Sequence, residues 1–376
     1  MTTKLKMSRA DGSTLPTASA PKVQALRVRA VRVPMTEPHQ TASGAVAESP
    51  LVLTDAVCDN GIVGHSVVFT YTPMALQPVA ELIRNFEALV KGEPLAPAEI
   101  ERKLARRFRL LGTQGLVGMA LAAIDMAMWD ALARSHGTSL VRLLGGVEKP
   151  VPAYGAVGYD GAKRSAQVAE AWAKRGFTGV KAKIGYPTVQ EDVAVIRAMR
   201  SAIGDGVFIM VDYNQCLTPV EAVQRMRVLD GEGLTWVEEP TLAHDYAGHA
   251  LVAREAATPI QCGENWWGPL DLQHALDANA SDFVMPDVMK IGGVSGWLRA
   301  MALAETKGIR MSNHLWPELS AQLLCVTPTA HWLEYADWWN PVLREPLRVE
   351  NGVANVGGAT GTGVAWDEKA VARFAV

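Results

Sequence analysis

Three acids recur at one interval in the second half of the chain: Asp212, Glu238 and Glu264 stand 26 positions apart. Each closes a short apolar run, so a repeating unit would bring all three carboxylates to one mouth. Carboxylates crowded in this way repel one another, and they either protonate or gather around a cation. Three oxygen donors that leave positions for water and substrate suit Mg2+ better than Ca2+. Before this trio comes Val180-Lys181-Ala182-Lys183-Ile184. In a strand, Lys181 and Lys183 point one way while Val180, Ala182 and Ile184 face the opposite wall. After the trio come Asp287 and His314, and a histidine oriented by a carboxylate is a poised general base. Two bases on opposite faces of a bound carbon, with a metal between them, take a proton from one side and return one to the other. That is the chemistry of a racemase or epimerase.

Taken singly, these residues say little. A lone Lys-x-Lys is usually a solvated strand face, a lone acid usually a salt bridge or helix cap, and His65, His136, His244, His249 and His331 keep a structural reading. The elements around them decide. From residue 150 onward a short apolar strand followed by an amphipathic helix repeats. Strands are expected at Val151 to Tyr154, Gly179 to Lys183, Phe208 to Asp212, Thr235 to Glu238, Ile260 to Gly263, Phe283 to Met285, Arg310 to Ser312 and Trp332 to Glu334. This fits a (β/α)8-type barrel, in which catalytic groups stand at the C-terminal strand ends. Those ends carry Lys181 and Lys183, Asp212 and Asn214, Glu238 and Glu239, Glu264, Asp287 and Lys290, His314, and Glu334. No Gly-x-Gly-x-x-Gly follows a strand, so a dinucleotide-binding doubly wound sheet lacks its fingerprint.

The first half has a different texture. Ala25 to Val33, Pro50 to Cys58 and Ile62 to Phe69 read as an antiparallel meander, with Asn60-Gly61 as a hairpin turn and Thr36 to Ala47 as a polar loop. Helical patterns follow at Pro73 to Val90, Ala98 to Leu111 and Gly115 to His136. Strands followed by helices mark a separate α+β domain over 23–148, completed by 346–376, with the barrel at 149–345. The first 22 residues lack the apolar core of a secretory signal and read as a flexible extension.

Composition sets the limits. A formal net charge of -3 and a pI near 6.3 give no basic footprint for nucleic acid or for a membrane surface. Cys58, Cys216, Cys262 and Cys325 form no Cys-x-x-Cys pair and read as reduced, buried thiols of a cytoplasmic protein. The longest apolar region, Gly115 to Leu132, is interrupted by Asp125 and Asp130, as expected of a buried helix rather than a membrane span.

Val180 to Pro187 (VKAKIGYP), Ile209 to Gln215 (IMVDYNQ), Thr235 to Pro240 (TWVEEP), Gly263 to Trp266 (GENW), Met285 to Gly293 (MPDVMKIGG) and Thr327 to Glu334 (TPTAHWLE) together resemble the mandelate racemase subgroup of the enolase superfamily. The resemblance runs from Val23 to the C-terminus. It implies an α+β capping domain over a modified (β/α)7β TIM barrel, dependence on Mg2+, a small-molecule carboxylate substrate and a symmetric homo-oligomer such as an octamer. Its pattern implies Asp212, Glu238 and Glu264 as metal ligands, Lys183 as the base for the (S) face, and His314, supported by Asp287, as the base for the (R) face. Lys181 is implied to contact the substrate carboxylate and to keep Lys183 partly neutral. Glu334, protonated, is implied to share its proton with that carboxylate, and Asn214, Lys290, Tyr71 and Val46 to line the site. Three positions depart from the pattern: Ala156 replaces a serine, and His39 and Ser43 replace valines of an apolar pocket. The expectation is a racemase of an α-hydroxy acid such as mandelate, with an acid-sugar dehydratase as the alternative.

Overall fold

The computed structural model describes residues 20–41 and 44–376. Ser43 and nearly all of the expected N-terminal extension lie outside the described residues. The chain opens with an antiparallel sheet of β1 (Val23–Thr41), β2 (Gly44–Cys58) and β3 (Val63–Phe69). The β2–β3 turn forms as its sequence dictates, with Gly61 at φ +83° and the Asn60 side chain accepting the Ile62 N–H at 3.2 Å. The expected loop from Thr36 to Ala47 is instead a two-stranded ribbon, paired His39 to Val46, Gln40 to Ala45 and Thr41 to Gly44. Its polar composition suits a loop, but pairing satisfies the backbone, and the Tyr159 N–H from the barrel donates to the Gln40 carbonyl at 2.9 Å.

Two helices pack on this sheet, α1 (Pro73–Val90) and α3 (Gly115–Ser135), and α2 (Pro97–Arg107) packs against α3. The Thr72 hydroxyl caps α1 by accepting the Met74 N–H. By length and hydropathy α3 is apolar enough to cross a membrane, a property the interrupting aspartates do not remove. Packing explains it: most of the helix is buried, and Asp125 and Asp130 accept hydrogen bonds inside the protein. A short helix α4 (Leu140–Leu143) leads to the barrel.

The barrel strands are β4 (Val151–Val157), β5 (Gly179–Lys183), β6 (Phe208–Asp212), β7 (Val237–Glu238), β8 (Ile260–Cys262), β9 (Phe283–Val284), β10 (Arg310–Met311) and β11 (Leu333–Tyr335). Between them run α5 (Gly161–Lys174), α6 (Val189–Ile203), α7 (Pro219–Leu229), α8 (Tyr246–Glu255), α9 (Pro269–Ala278), α10 (Gly293–Lys307) and α11 (Pro317–Val326). All neighbouring pairs from β4 to β10 are parallel, and β11 pairs with β4, matching Glu334 to Tyr154. The ring closes where Met311 bridges to Ala330 just before β11. Eight strands with seven helices between them make a (β/α)7β barrel under an α+β capping domain.

The chain then adds β12 (Val349–Glu350) and β13 (Val353–Ala354) to the start of β4, and α12 (Glu368–Phe374) returns to the first sheet. There Arg29 pairs with Glu368 at 2.5 Å and the Trp366 indole donates to Asp55 at 2.7 Å. Along β5, Val180 and Ala182 are buried on the helix side, and the two lysines project inside. Beneath them Tyr154, Met210, Trp236 and Trp332 fill the barrel, with the Lys181 ammonium 5.6 Å from the Tyr154 ring. A packed lower layer leaves the upper mouth as the place for chemistry.

Candidate active site

Asp212 ends β6, Glu238 ends β7 and Glu264 follows β8, so three neighbouring strands deliver three carboxylates to one point. All three are buried, and one oxygen from each lies within 4.8 Å of the others. Glu264 reaches the mouth because Gly263 holds φ +142° and lacks a side chain; a Cβ there would meet the Met285 backbone at 2.9 Å. Each carboxylate is met by a different basic side chain. Lys183 Nζ lies 3.1 Å from Asp212 Oδ2, Lys181 Nζ 2.5 Å from Glu238 Oε1, and His314 Nε2 3.3 Å from Glu264 Oε2. Burial, aided by Asp212, Glu264 and Glu334, pushes Glu238 up to about 8, while Lys181 pulls the other way. Burial also raises Glu264, but His314, Lys181 and Lys183 outweigh it and hold that acid down to about 2. A hard oxygen donor set under this much mutual repulsion fits a divalent cation.

The two lysines differ as their surroundings do. Lys181 is the deeper and bridges Glu238 to Glu334, whose Oε1 lies 2.7 Å away. Burial favours its neutral form, but those two acids hold its pKa well above the usual range. Lys183 sits at the cavity edge and also donates to Asn214 Oδ1 at 2.5 Å. Burial lowers it, Asp212 and Glu264 raise it, Lys181 opposes them, and the balance is upward. Asn214 Nδ2 in turn donates to Asp212 at 2.9 Å.

Across the mouth His314 Nδ1 lies 2.7 Å from Asp287 Oδ2. The carboxylate accepts, so Nδ1 carries the proton and Nε2 faces the cavity side. Burial lowers the imidazole pKa, but Glu264, Asp287 and Glu334 together raise it. Asp287 is itself fixed: its Oδ1 accepts the Met289 N–H, the Lys290 N–H and the Trp316 indole at 2.7, 3.1 and 2.9 Å. Glu334 departs from the protonated state expected for it. Burial raises its pKa, but Lys181 and His314 pull it below the ordinary value, and its Oε2 also accepts the Leu315 N–H at 3.0 Å. Burial and Lys181 do lower the Lys183 pKa, as the expected partial neutrality requires, but the paired Asp212, with Glu264, favours the ammonium and outweighs them.

Above these groups opens a cavity of about 540 Å³ lined by Lys183, Asn214, Glu264, Lys290 and His314 from the barrel and by His39, Val46, Phe69, Tyr71 and Met119 from the cap. Tyr71 and Val46, expected to line the site, are among these cap residues, and Lys290 reaches to 4.6 Å from the Tyr71 ring. Ala156 does not line it. It faces a second cavity, which among the described residues shares only His39 and Trp338 with the first. Cys216, expected to be buried, is exposed and lines the first cavity.

Sequence reasoning missed several groups. Asn265 donates to Glu239 at 2.8 Å and to Glu264 at 3.1 Å and accepts from Lys290 Nζ at 2.6 Å, tying one triad acid to a cavity lysine. Its place beside Glu264 was the available signal. Trp267 follows the same motif, but Met119 and Trp338 arrive from distant segments with no local mark. Among the described residues, six of the eight non-glycine positions with positive φ lie at this mouth: Tyr71, Asn214, Gln215, Glu239, Leu315 and Trp316. Strain of this kind persists where the surroundings over-determine it, commonly at functional sites.

With this geometry in view, residues 23–145 match the profile of the mandelate racemase / muconate lactonizing enzyme N-terminal domain, and residues 163–370 that of the enolase C-terminal domain-like family. An L-talarate/galactarate dehydratase of Salmonella typhimurium is 33% identical over 69% of this chain and 66% of that protein. A D-galactarolactone cycloisomerase of Agrobacterium fabrum is 31% identical over 94% of this chain and 98% of that one. Among solved structures, an enolase from Bradyrhizobium complexed with magnesium and mandelic acid is 42% identical, with a TM-score of 0.92 over 96% of this chain and 99% of that one.

Proposed function

The chain belongs to the mandelate racemase / muconate lactonizing enzyme family of the enolase superfamily, and from that premise we propose that it is a Mg2+-dependent racemase of an α-hydroxy acid bearing an aryl group, mandelate or a close analogue. The observation that carries this reading is the placement of two bases, Lys183 on β5 and His314 after β10, on one cavity beside the carboxylate triad. Asp212, Glu238 and Glu264 would hold the ion. Bound there, Mg2+ supplies positive field for the charge that builds on the substrate carboxylate as the α-proton leaves.

The chain's own residues do the rest. Lys181, deep and firmly charged, adds a second fixed positive charge at the same end of the substrate. Lys183 takes the α-proton of the (S) enantiomer. It must be neutral to do so, and burial and Lys181 are the influences that favour this, whereas Asp212 and Glu264 oppose them. Those two opposing acids belong to the set that would hold the cation, so their charge would be shared with it. His314 takes the proton of the (R) enantiomer at Nε2, its tautomer fixed by Asp287. In each direction the other base, in its protonated form, delivers a proton to the opposite face. Asn214 steadies Lys183, and Lys290 adds charge at the rim. Val46, Phe69, Tyr71, Trp267, Leu315 and Trp338 give the cavity an apolar, aromatic wall that suits a phenyl ring better than a polyol.

A second reading, dehydration of an acid sugar, draws support from the dehydratase relative and from His39, a polar side chain on the cap side of the cavity. There one base removes the α-proton and His314 protonates the departing β-hydroxyl. Incubating each mandelate enantiomer with protein and Mg2+ in D2O separates the two. Loss of the α-proton signal with loss of optical rotation is the expected result. A 2-keto product from an aldonate with no exchange from mandelate would replace the first reading by the second, and neither result across a broad acid library would sink both.

A further inference from the structure

One carboxyl of the capping domain is buried in the barrel domain. Asp125, on α3, accepts the Ser295 hydroxyl at Oδ1 (2.5 Å) and the Ser295 backbone N–H at Oδ2 (3.0 Å). Trp129, one turn further along α3, donates its indole N–H to the same hydroxyl at 2.9 Å. Ser295 is the third residue of α10, whose N-cap is Gly292, a residue with no side chain to offer. A helix start leaves backbone N–H groups without partners, and a side-chain oxygen usually supplies one. Here that oxygen comes from another domain. Gly293, at φ +70°, makes room for it: a Cβ at this position would meet Asp125 Oδ2 at 2.3 Å. One turn beyond Ser295, Arg299 of α10 pairs with Glu101 of α2 at 3.0 Å, so one face of α10 is held twice by the cap.

The turn that enters α10 is the one the active site depends on. It runs from Asp287, which orients His314, through Lys290, which lines the cavity, and closes by Ile291 N–H to Asp287 carbonyl and Gly293 N–H to Val288 carbonyl bonds of 2.8 Å each. We propose that Asp125 is a positioning residue of the active site: the capping domain supplies the N-terminal cap of barrel helix α10 and thereby fixes the turn that holds Asp287 against His314 and Lys290 in the cavity. Seating of the cap and orientation of one base are then a single event. Burial pushes the Asp125 carboxyl up to about 7 against the pull of the Ser295 bonds, with Glu101 raising and Arg299 lowering it, so the contact sits among few countercharges.

The consequence for catalysis rests on His314 being one of two bases, so the test has two arms. In the first, amide hydrogen exchange is followed in the full-length protein without substrate, for wild type, Asp125→Ala, Asp125→Asn and Ser295→Ala. Asp125→Ala is expected to speed exchange at Ser295, Met289 and Lys290 by roughly tenfold or more, as loss of a helix cap does. Asp125→Asn, which keeps the volume and one acceptor, restores most of the protection and keeps the test alive should the alanine variant fail to fold. In the second arm, α-proton exchange from each mandelate enantiomer is compared. The alanine variant should lose at least about tenfold on the His314 side and stay within about threefold on the Lys183 side. Equal loss from both enantiomers, or unchanged protection at Met289 and Lys290, would overturn the proposal. Wild-type protein that exchanges neither enantiomer sinks the proposed function, while the amide arm still decides the capping role.

Discussion

Replacing Asp287 by asparagine changes one oxygen into an amide nitrogen, and the structure dictates which one. Three donors converge on Oδ1, from Met289, Lys290 and Trp316, so the asparagine carbonyl must keep that place. The new NH2 then faces His314 Nδ1, which donates at 2.7 Å in the native protein. Two donors cannot share that contact. Either the imidazole shifts its proton to Nε2, which leaves no lone pair toward the substrate, or a buried donor goes unpaired. The native bond is charge-assisted and worth about 1.5 to 3 kcal/mol, and an unsatisfied buried donor costs about 1 to 3 kcal/mol more. Taken together, about 2.5 to 6 kcal/mol is lost from the His314 side, or roughly 10²- to 10⁴-fold in rate. Lys183, held by Asp212 and Asn214 on the far side, touches none of these groups. The assay is NMR of the α-proton in D2O with Mg2+ from each enantiomer separately. Exchange of the (R) acid should collapse while that of the (S) acid persists within a few-fold, which also shows that the variant is folded. Equal loss from both enantiomers would refute the assignment of His314 and Asp287 to one face, and no loss from either would refute His314 as a base.

Lys183→Arg should give the complementary result, abolishing exchange from the (S) acid and leaving some from the (R) acid, because a guanidinium does not surrender its proton near neutral pH; equal residual exchange from both would refute the two-base assignment. Dialysis against a chelator should remove activity and addition of Mg2+ restore it, and Glu264→Gln should weaken Mg2+ binding in calorimetry at least tenfold as one anionic ligand is lost; undiminished affinity would exclude Glu264 from the ligand set. The Asp125 carboxyl, raised from 3.8 to about 7 by burial, predicts a pH dependence of stability. Between those values the folded chain holds a proton the unfolded chain has lost, so stability falls as pH rises through the window and levels off above it. The full effect is up to roughly 4 kcal/mol. Urea unfolding of wild type and Asp125→Asn from pH 4 to 8 should show the wild type losing stability relative to the variant across that window, and parallel curves would contradict it.

Much of this was written into local sequence. The β/α period alone sets Asp212, Glu238 and Glu264 on adjacent strand ends, and alternation along β5 sends Lys181 and Lys183 inward with Val180 and Ala182 against the helices. Asn60-Gly61 fixes the β2–β3 turn because a positive φ is available to glycine at no steric cost. These features depend on neighbours a few residues away, and a repeating pattern displays them. The paired ribbon at His39 to Val46 was hidden because polar residues suit a loop equally well, and the barrel residue that bonds to it, Tyr159, lies 119 positions on from Gln40.

Charge states were decided only in three dimensions. The sequence marks Glu334 as a strand-end acid, but whether it is ionised depends on the Lys181 ammonium 2.7 Å away and the imidazole at 4.0 Å. The same holds for the bridge from Lys290 through Asn265 to Glu264, and for Asp125, which is just one acid in an apolar helix until it meets Ser295, 170 positions later. Sequence by itself determined which strand ends carry the acids, lysines and histidine of the mouth, because periodicity is a property of the local chain. Tertiary structure decided which of them are charged and held in place, because electrostatic and hydrogen-bond energies are set by distances of a few ångströms between groups that the chain keeps far apart.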